Sequence, residues 1–271
     1  MLNQHKPLTA AAVEPLLRGR FGRPYLWAES CPSTQDALRD PALSEGAVAV
    51  TEHQTAGRGR AGRGWEDAPG TALLLSVLLR PPDGSAAPQL SLVCALAVAE
   101  SVEATTGVEA SVKWPNDVLV AGRKVAGILL EGHDGAVVCG IGVNVSQTET
   151  TLPRDTRTPS ASLHTLTGQE HDRAELLVSL LERLESRYDA WLGNGLAPLL
   201  PELERRDVLH GSVVTVGDVT GTAEGFAPDG RLRIRADTGA ETLVASGEIR
   251  CPTSVAHLRR MSAPRAPDAS H

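Results

Sequence analysis

Two apolar, β-rich runs, residues 47–51 and 72–79, bracket a stretch that can be neither strand nor helix. Residues 57–65 read Gly-Arg-Gly-Arg-Ala-Gly-Arg-Gly-Trp, four glycines and three arginines in nine positions. The glycines free the backbone to approach a ligand closely and to take positive φ. The arginines supply fixed-charge forks suited to phosphate or carboxylate. Anchored at both ends by strands, this segment is a loop placed to close over an anionic small ligand. A flexible RNA-binding segment is the competing reading, and it suits longer, repeated and unanchored stretches better.

The remaining pattern predicts an α+β fold. Residues 8–19 read as a short helix with Pro15 as its awkward member, and 24–29 as a strand. Ser33 then caps a short helix over 34–39. A long apolar helix runs from Pro88 to about residue 105, with Gly107 past its end. A strand over 110–113 leads into Trp114-Pro115-Asn116-Asp117, and 118–120 with 123–131 form a hairpin around Ala121-Gly122. Another strand spans 136–145. Asp172 and Glu175 make a capping box for an amphipathic helix to about residue 192, and 196–205 is a further helix.

From Asp207 the texture changes. Segments 212–216, 220–226, 232–236 and 241–245 are short strands separated by turn residues, the signature of a small β-barrel. The expected organisation is an N-terminal extension (1–23), a main ligand-binding domain (24–206), a barrel (207–252) and a frayed tail (253–271).

Net charge narrows the function classes. With 26 Lys+Arg against 33 Asp+Glu the chain is acidic overall, a poor match to non-specific nucleic-acid binding. No apolar run approaches the roughly 18–20 residues that span a bilayer. The first residues lack the layout of a signal peptide. A soluble cytoplasmic protein without membrane contact is expected. Cys31, Cys94, Cys139 and Cys251 form no CxxC pair and read as reduced structural thiols.

Three further segments carry chemistry. Lys113-Trp114-Pro115-Asn116-Asp117 precedes Gly122-Arg123-Lys124-Val125-Ala126-Gly127 across the hairpin turn. Asn116 and Asp117 at a strand edge suit ligand contact or Mg²⁺, and Lys124 can face the same pocket. A solvated hairpin with ordinary charges is the bland alternative. Gly140-Ile141-Gly142-Val143-Asn144 leaves room beside a sheet. It is not a dinucleotide fingerprint, because no helix follows at the right place. Ser33-Thr34 is either a ligand contact or a plain N-cap.

Taken together, residues 52–65, 113–117, 122–128 and 142–144 resemble the biotin–protein ligases in order and spacing, over roughly residues 24–252. The resemblance implies a class II synthetase-like catalytic domain, a mixed sheet with helices on one side, plus a small C-terminal SH3-like barrel. It implies an ATP-dependent ligase that makes biotinyl-5′-AMP and passes biotin to a lysine of a biotin carboxyl carrier domain. Reacting-centre roles fall on Lys124, Arg58, Arg60 and Asp117. Biotin contacts fall on Ser33, Thr34, Gln35, Gln54, Gly57, Arg58, Gly59, Arg60, Trp65, Lys124 and Gly127. Gln35 stands where some members carry Asn. ATP contacts fall on Arg60, Arg63, Trp65, Lys113, Asn116, Asp117 and Asn144, with Mg²⁺ as cofactor at Asp117. Trp65 and Trp114 would wall the site.

Some members carry an N-terminal DNA-binding domain. Only about two dozen residues precede the first motif strand here, against about 50 for an independent domain, so a monofunctional ligase with no DNA partner is expected. A lipoate or octanoate protein ligase or transferase is the alternative enzyme. The Gly/Arg loop beside Lys-Trp-Pro-Asn-Asp favours biotin.

Overall fold

The computed structural model describes residues 6–82, 87–153, 156 and 158–251. The strands β1 (Tyr25–Ala28), β2 (Val48–Thr51), β3 (Ala72–Leu79), β4 (Ser111–Lys113), β5 (Asp117–Val120), β6 (Arg123–His133) and β7 (Ala136–Asn144) form one sheet. Its order is β1-β2-β3-β7-β6-β5-β4. β1 runs parallel to β2, and the other neighbouring pairs are antiparallel. The helices are α1 (Ala10–Val13), α2 (Ala87–Thr106), α3 (Leu163–Thr167), α4 (Arg173–Asn194) and α5 (Leu200–Arg206).

Strand alternation sorts the two faces of the sheet. Leu73, Leu75, Val77 and Leu79 of β3, with Cys139, Ile141 and Val143 of β7, join the main core with α2 and α4. α2 is apolar on several sides because it packs on the sheet and also against α4; Leu90, Val93, Cys94 and Ala97 are all fully buried. The alternate β7 positions, Gly140, Gly142 and Asn144, line a cleft on the other face. A smaller cluster of Leu38, Ala47, Ala49, Leu78, Ala136 and Val138 closes one end of that face. The architecture is therefore the α+β arrangement expected, with its long helices on one side.

The C-terminal strands β8 (Val213–Val216), β9 (Val219–Phe226), β10 (Leu232–Arg235), β11 (Glu241–Val244) and β12 (Ile249–Arg250) form an antiparallel sheet in the order β11-β10-β9-β8-β12. Four lie where the turn spacing put them and β12 is additional. The sheet is open among the described residues: β11 and β12 remain its edges, so the expected barrel does not close by strand pairing. Val208 N donates to Val112 O at 3.1 Å, and Trp114 Nε1 to Gly230 O at 3.1 Å, docking this module on β4 and the segment after it.

Several local expectations change. The helix expected over 8–19 is cut to the four residues of α1 and a 3-10 turn, Glu14–Leu16, around Pro15, which lacks a donor and cannot continue the ladder. The helix over 34–39 is a single 3-10 turn, Asp36–Leu38, with no side-chain cap from Ser33. Asp172 accepts from the amides of Ala174 and Glu175, while the reciprocal capping box is found at Ser162 and Thr165. The expected tail lies outside the described residues. All four cysteines are free, with Cys94 and Cys139 Sγ 3.1 Å apart in the core. Among the described residues no helix is long and apolar enough to cross a membrane.

Asp207, at the start of the C-terminal module, gives a pH test of this junction. Its Oδ1 accepts from Leu209 N at 2.9 Å, while Oδ2 is buried without a partner. Burial pushes its carboxyl up to about 6, against a backbone amide that pulls it down. A raised folded pKa favours the folded state fully at low pH, and that advantage is lost as pH rises from about 4 through about 6. Two units correspond to about 3 kcal/mol. Asp207→Asn is expected to stabilise the chain at pH 8 by about 1–3 kcal/mol and to do little at pH 4. Denaturant unfolding at both values checks this, and equal shifts at the two would refute it.

Candidate active site

The cleft has a volume of about 780 Å³ and is walled by the loop after β2, by β5–β7 and by the C-terminal module. Every residue given a ligand-binding or reacting-centre role from the sequence lines it except Gly57. Gly57 is instead at the base of the loop. Trp65 N donates to Gly57 O at 2.9 Å, and a Cβ at Gly57 would meet Trp65 O at 2.6 Å. The loop is thus a narrow hairpin, also tied by Gly59 N to Arg63 O at 2.7 Å.

One end of the cleft is polar but uncharged. Gln54 Oε1 accepts from Thr34 N at 3.0 Å, and Thr34 Oγ1 also meets Ser76 Oγ of β3 at 2.7 Å. These bonds fix the Gln54 amide with its NH₂ left to donate. Gln35 donates to Leu129 O at 3.3 Å, and its Oε1 is buried without a partner. A Cβ at Gly140 would meet Gln35 Nε2 at 2.5 Å, so the glycine makes the space this glutamine occupies. Buried amides and hydroxyls with unused valences suit a neutral, hydrogen-bonding ligand.

The other end is cationic. Lys124 Nζ lies 2.6 Å from Asp117 Oδ1. Arg60 donates to Asn116 Oδ1 at 3.1 Å, and Asn116 is fixed by Ile128 through its side-chain donor at 2.9 Å and its backbone acceptor at 2.9 Å. Burial pulls the half-buried Arg60 guanidinium below its ordinary value, with Asp117 only partly offsetting this. Such a cation gains from an incoming anion. Lys113 donates to Thr158 Oγ1 at 2.7 Å.

Lys124 reaches this face because of a β-bulge. On β5 Val118 pairs with Ala126 but Leu119 pairs with Lys124, leaving Val125 as the extra residue. Without the bulge, Lys124 and Gly127 would point to opposite faces; with it, both line the cleft. Trp65 lies over the glycine pair Gly127 and Gly142, which face each other across β6 and β7. Its ring centroid is 6.0 Å from Lys124 Nζ.

Three of the residues that line the cleft have polar groups engaged by the protein itself. The Arg58 guanidinium is ion-paired with Asp36 and Glu131. Glu131 lies seven residues along β6 from Lys124, about 23 Å at roughly 3.3 Å per residue, so its partner holds the Arg58 guanidinium toward the far end of that strand. Trp114 is buried, and its N–H goes to the C-terminal module. The Asn144 amide donates to Ala161 O and accepts from Gln147 Nε2, each at 3.1 Å. As for metal, no group of three or more His, Cys, Asp or Glu gathers among the described residues.

The structure also brings in residues that sequence reasoning missed. Ser246, Gly247, Glu248 and Ile249 line the cleft from the C-terminal module, and Arg63 lies 3.5 Å from Glu248. Thr156, Thr158 and Ser160 line it from the segment after β7. No local pattern announces either group, because both depend on how distant segments dock.

Fold and site together match known proteins. Residues 27–147 match the model of the Biotin/lipoate A/B protein ligase family. The chain is 39% identical over 225 residues to the biotin--[acetyl-CoA-carboxylase] ligase of Mycobacterium tuberculosis, covering 79% of this chain and 80% of that one. It is 34% identical over 188 residues to the bifunctional ligase/repressor BirA of Bacillus spizizenii, covering 66% of this chain and 58% of that relative. The chain thus spans less than two thirds of that bifunctional protein. The Aquifex aeolicus biotin protein ligase solved with biotin and ATP superimposes with a TM-score of 0.77 at 32% identity, covering 84% of this chain and 98% of the other. The chain belongs to the biotin/lipoate protein ligases. Within them it is a member of the biotin–protein ligase family.

Proposed function

We propose that this chain is a biotin–[biotin carboxyl carrier protein] ligase. One observation carries the reading. A single cleft joins a neutral amide-and-hydroxyl end to a cationic end, in the fold of a ligase solved with biotin and ATP. A neutral ureido head with an acyl tail suits the first end, and a triphosphate suits the second.

In the first half-reaction the biotin carboxylate attacks the α-phosphate of ATP and pyrophosphate leaves. Two anions must meet, so fixed cations have to offset their repulsion. Lys124 and Arg60 stand at that end, with Asp117 and Asn116 holding them in place. Arg63 and Lys113 also line the cleft and suit the outer phosphates. Trp65 and the hairpin loop cover the ligand and keep water from the mixed anhydride. In the second half-reaction a neutral lysine amine of the carrier domain attacks the acyl carbon and AMP leaves. Asp117 is placed to orient that amine.

Mg²⁺ enters this reading with the nucleotide, where it neutralises phosphate charge. Such an ion keeps several waters and needs only one or two protein carboxylates, and Asp117 is a carboxylate that lines the cationic end.

Incubation with biotin, Mg-ATP and a carrier domain is expected to release pyrophosphate and add one biotin to one carrier lysine, read by intact mass. Lipoate or octanoate in place of biotin should give neither. Acylation by lipoate at a comparable rate would overturn the assignment.

A further inference from the structure

Arg58 does not act alone. Its Nε and Nη2 donate to Glu131 at 2.9 and 3.0 Å, and its Nη1 and Nη2 donate to Asp36, each at 3.0 Å. Arg39 closes the ring, 3.4 Å from Asp36 and 3.2 Å from Glu131. Two cations and two anions make a neutral quartet. It joins three elements that each line the neutral end of the cleft. Asp36 follows Ser33-Thr34-Gln35, Glu131 follows Leu129 on β6, and Arg58 opens the hairpin loop.

We infer that Asp36 and Glu131 are positioning residues for the acyl-ligand end, holding Arg58 so that the root of the loop is fixed while Arg60, bonded to the neutral Asn116 amide, is left to meet phosphate. The inference rests on the ligase reading for its substrate and on geometry alone for its mechanics.

Three observations support it. Isolated surface ion pairs contribute little, but fork-to-fork guanidinium pairs in a network hold geometry. The partners set the loop arginines apart. Asp36 and Glu131 raise the Arg58 guanidinium well above its ordinary value, and Arg58 in turn lowers Asp36. Arg60, by contrast, is lowered by burial. Arg58 is therefore already satisfied by the protein, and Arg60 is the loop cation left wanting an anion. Finally, neutralising Arg58 keeps the amide end of the cleft unattractive to a triphosphate, which gives the cleft a direction.

The test uses the full chain and the isosteric variants Asp36→Asn and Glu131→Gln. Each removes a charge-assisted pair, and KM for biotin is expected to rise about tenfold for each, with KM for ATP within about twofold. The double variant should be no worse than Arg58→Met, because the quartet acts as one unit. Without any ligand, the amides of Gly59 and Trp65, bonded within the hairpin, should exchange about tenfold faster in Glu131→Gln. That readout is independent of the ligase reading. Unchanged exchange in the variant would overturn the positioning role, as would a rise in KM for ATP equal to that for biotin. Normal exchange effects with no biotin-dependent activity in the parent chain would sink the substrate assignment and leave the mechanics standing.

Discussion

Lys124→Ala is expected to lower biotin-dependent pyrophosphate release by about 10²–10³-fold, the loss of about 2.7–4 kcal/mol that follows removal of one preorganised charge stabiliser. The ammonium lies at the cationic end, 2.6 Å from Asp117, brought there by the bulge at Val125. Before reaction its charge is balanced by that carboxylate. As the carboxylate of biotin approaches the α-phosphate, negative charge gathers within reach of the same ammonium, so its contribution grows toward the transition state. The loss therefore falls on kcat more than on KM for biotin. Asp117→Asn should cost less, because it leaves the cation and removes only its holder. Pre-steady-state adenylate formation by both variants checks the ranking. A Lys124→Ala enzyme with near-parental rates, or an Asp117→Asn enzyme more impaired than it, would remove Lys124 from the reacting centre.

The bulge also shows where sequence reading stops. The chemistry of the site was legible because residue types carry it. A Gly/Arg loop between apolar strands has few uses, and Lys124 beyond a hairpin turn from Asp117 could face the same pocket. The face of the sheet was not legible. A strict two-residue period puts Lys124 with Ala126, away from Gly127, and one unpaired residue reverses that. Partners were equally hidden. Residues 57–65 display three arginines, but nothing local says that Arg58 faces Asp36 and Glu131, Arg60 faces Asn116, and Arg63 faces Glu248. These pairings depend on contacts across 22 to 185 positions of chain, as the residue numbers show. The long helices and the large sheet follow from period and caps. The ends of short elements do not, as Pro15 and the 3-10 turn after Gln35 demonstrate.

Gly142→Ala is expected to open the lid without unfolding the chain. A Cβ at Gly142 would lie 2.5 Å from Trp65 Cζ2 and 2.6 Å from Cε2, closer than real Cβ contacts allow. The strand cannot yield, because β7 is paired on both sides, to Leu74 of β3 and to Gly127 of β6. The indole must yield, and with it the loop that carries it. Overpacking of this kind costs about 1–3 kcal/mol, a loss of about 5- to 150-fold in retention of the adenylate. Gly127→Ala should be milder. Its Cβ would meet Trp65 Cζ3 and Lys124 Nζ at 3.1 Å each, a smaller overlap than at Gly142. Trp65→Leu removes the obstructing ring, so adding it to Gly142→Ala should cost little beyond Trp65→Leu alone. Adenylate release into a chase of unlabelled biotin and ATP measures all four variants. Equal effects of the two glycine substitutions, or additive losses in the double variant, would mean that the ring is not what the glycines accommodate. If both rankings hold, Trp65 is the lid's contact with the sheet, and the bare pair Gly127 and Gly142 is the seat that lets the lid close flat.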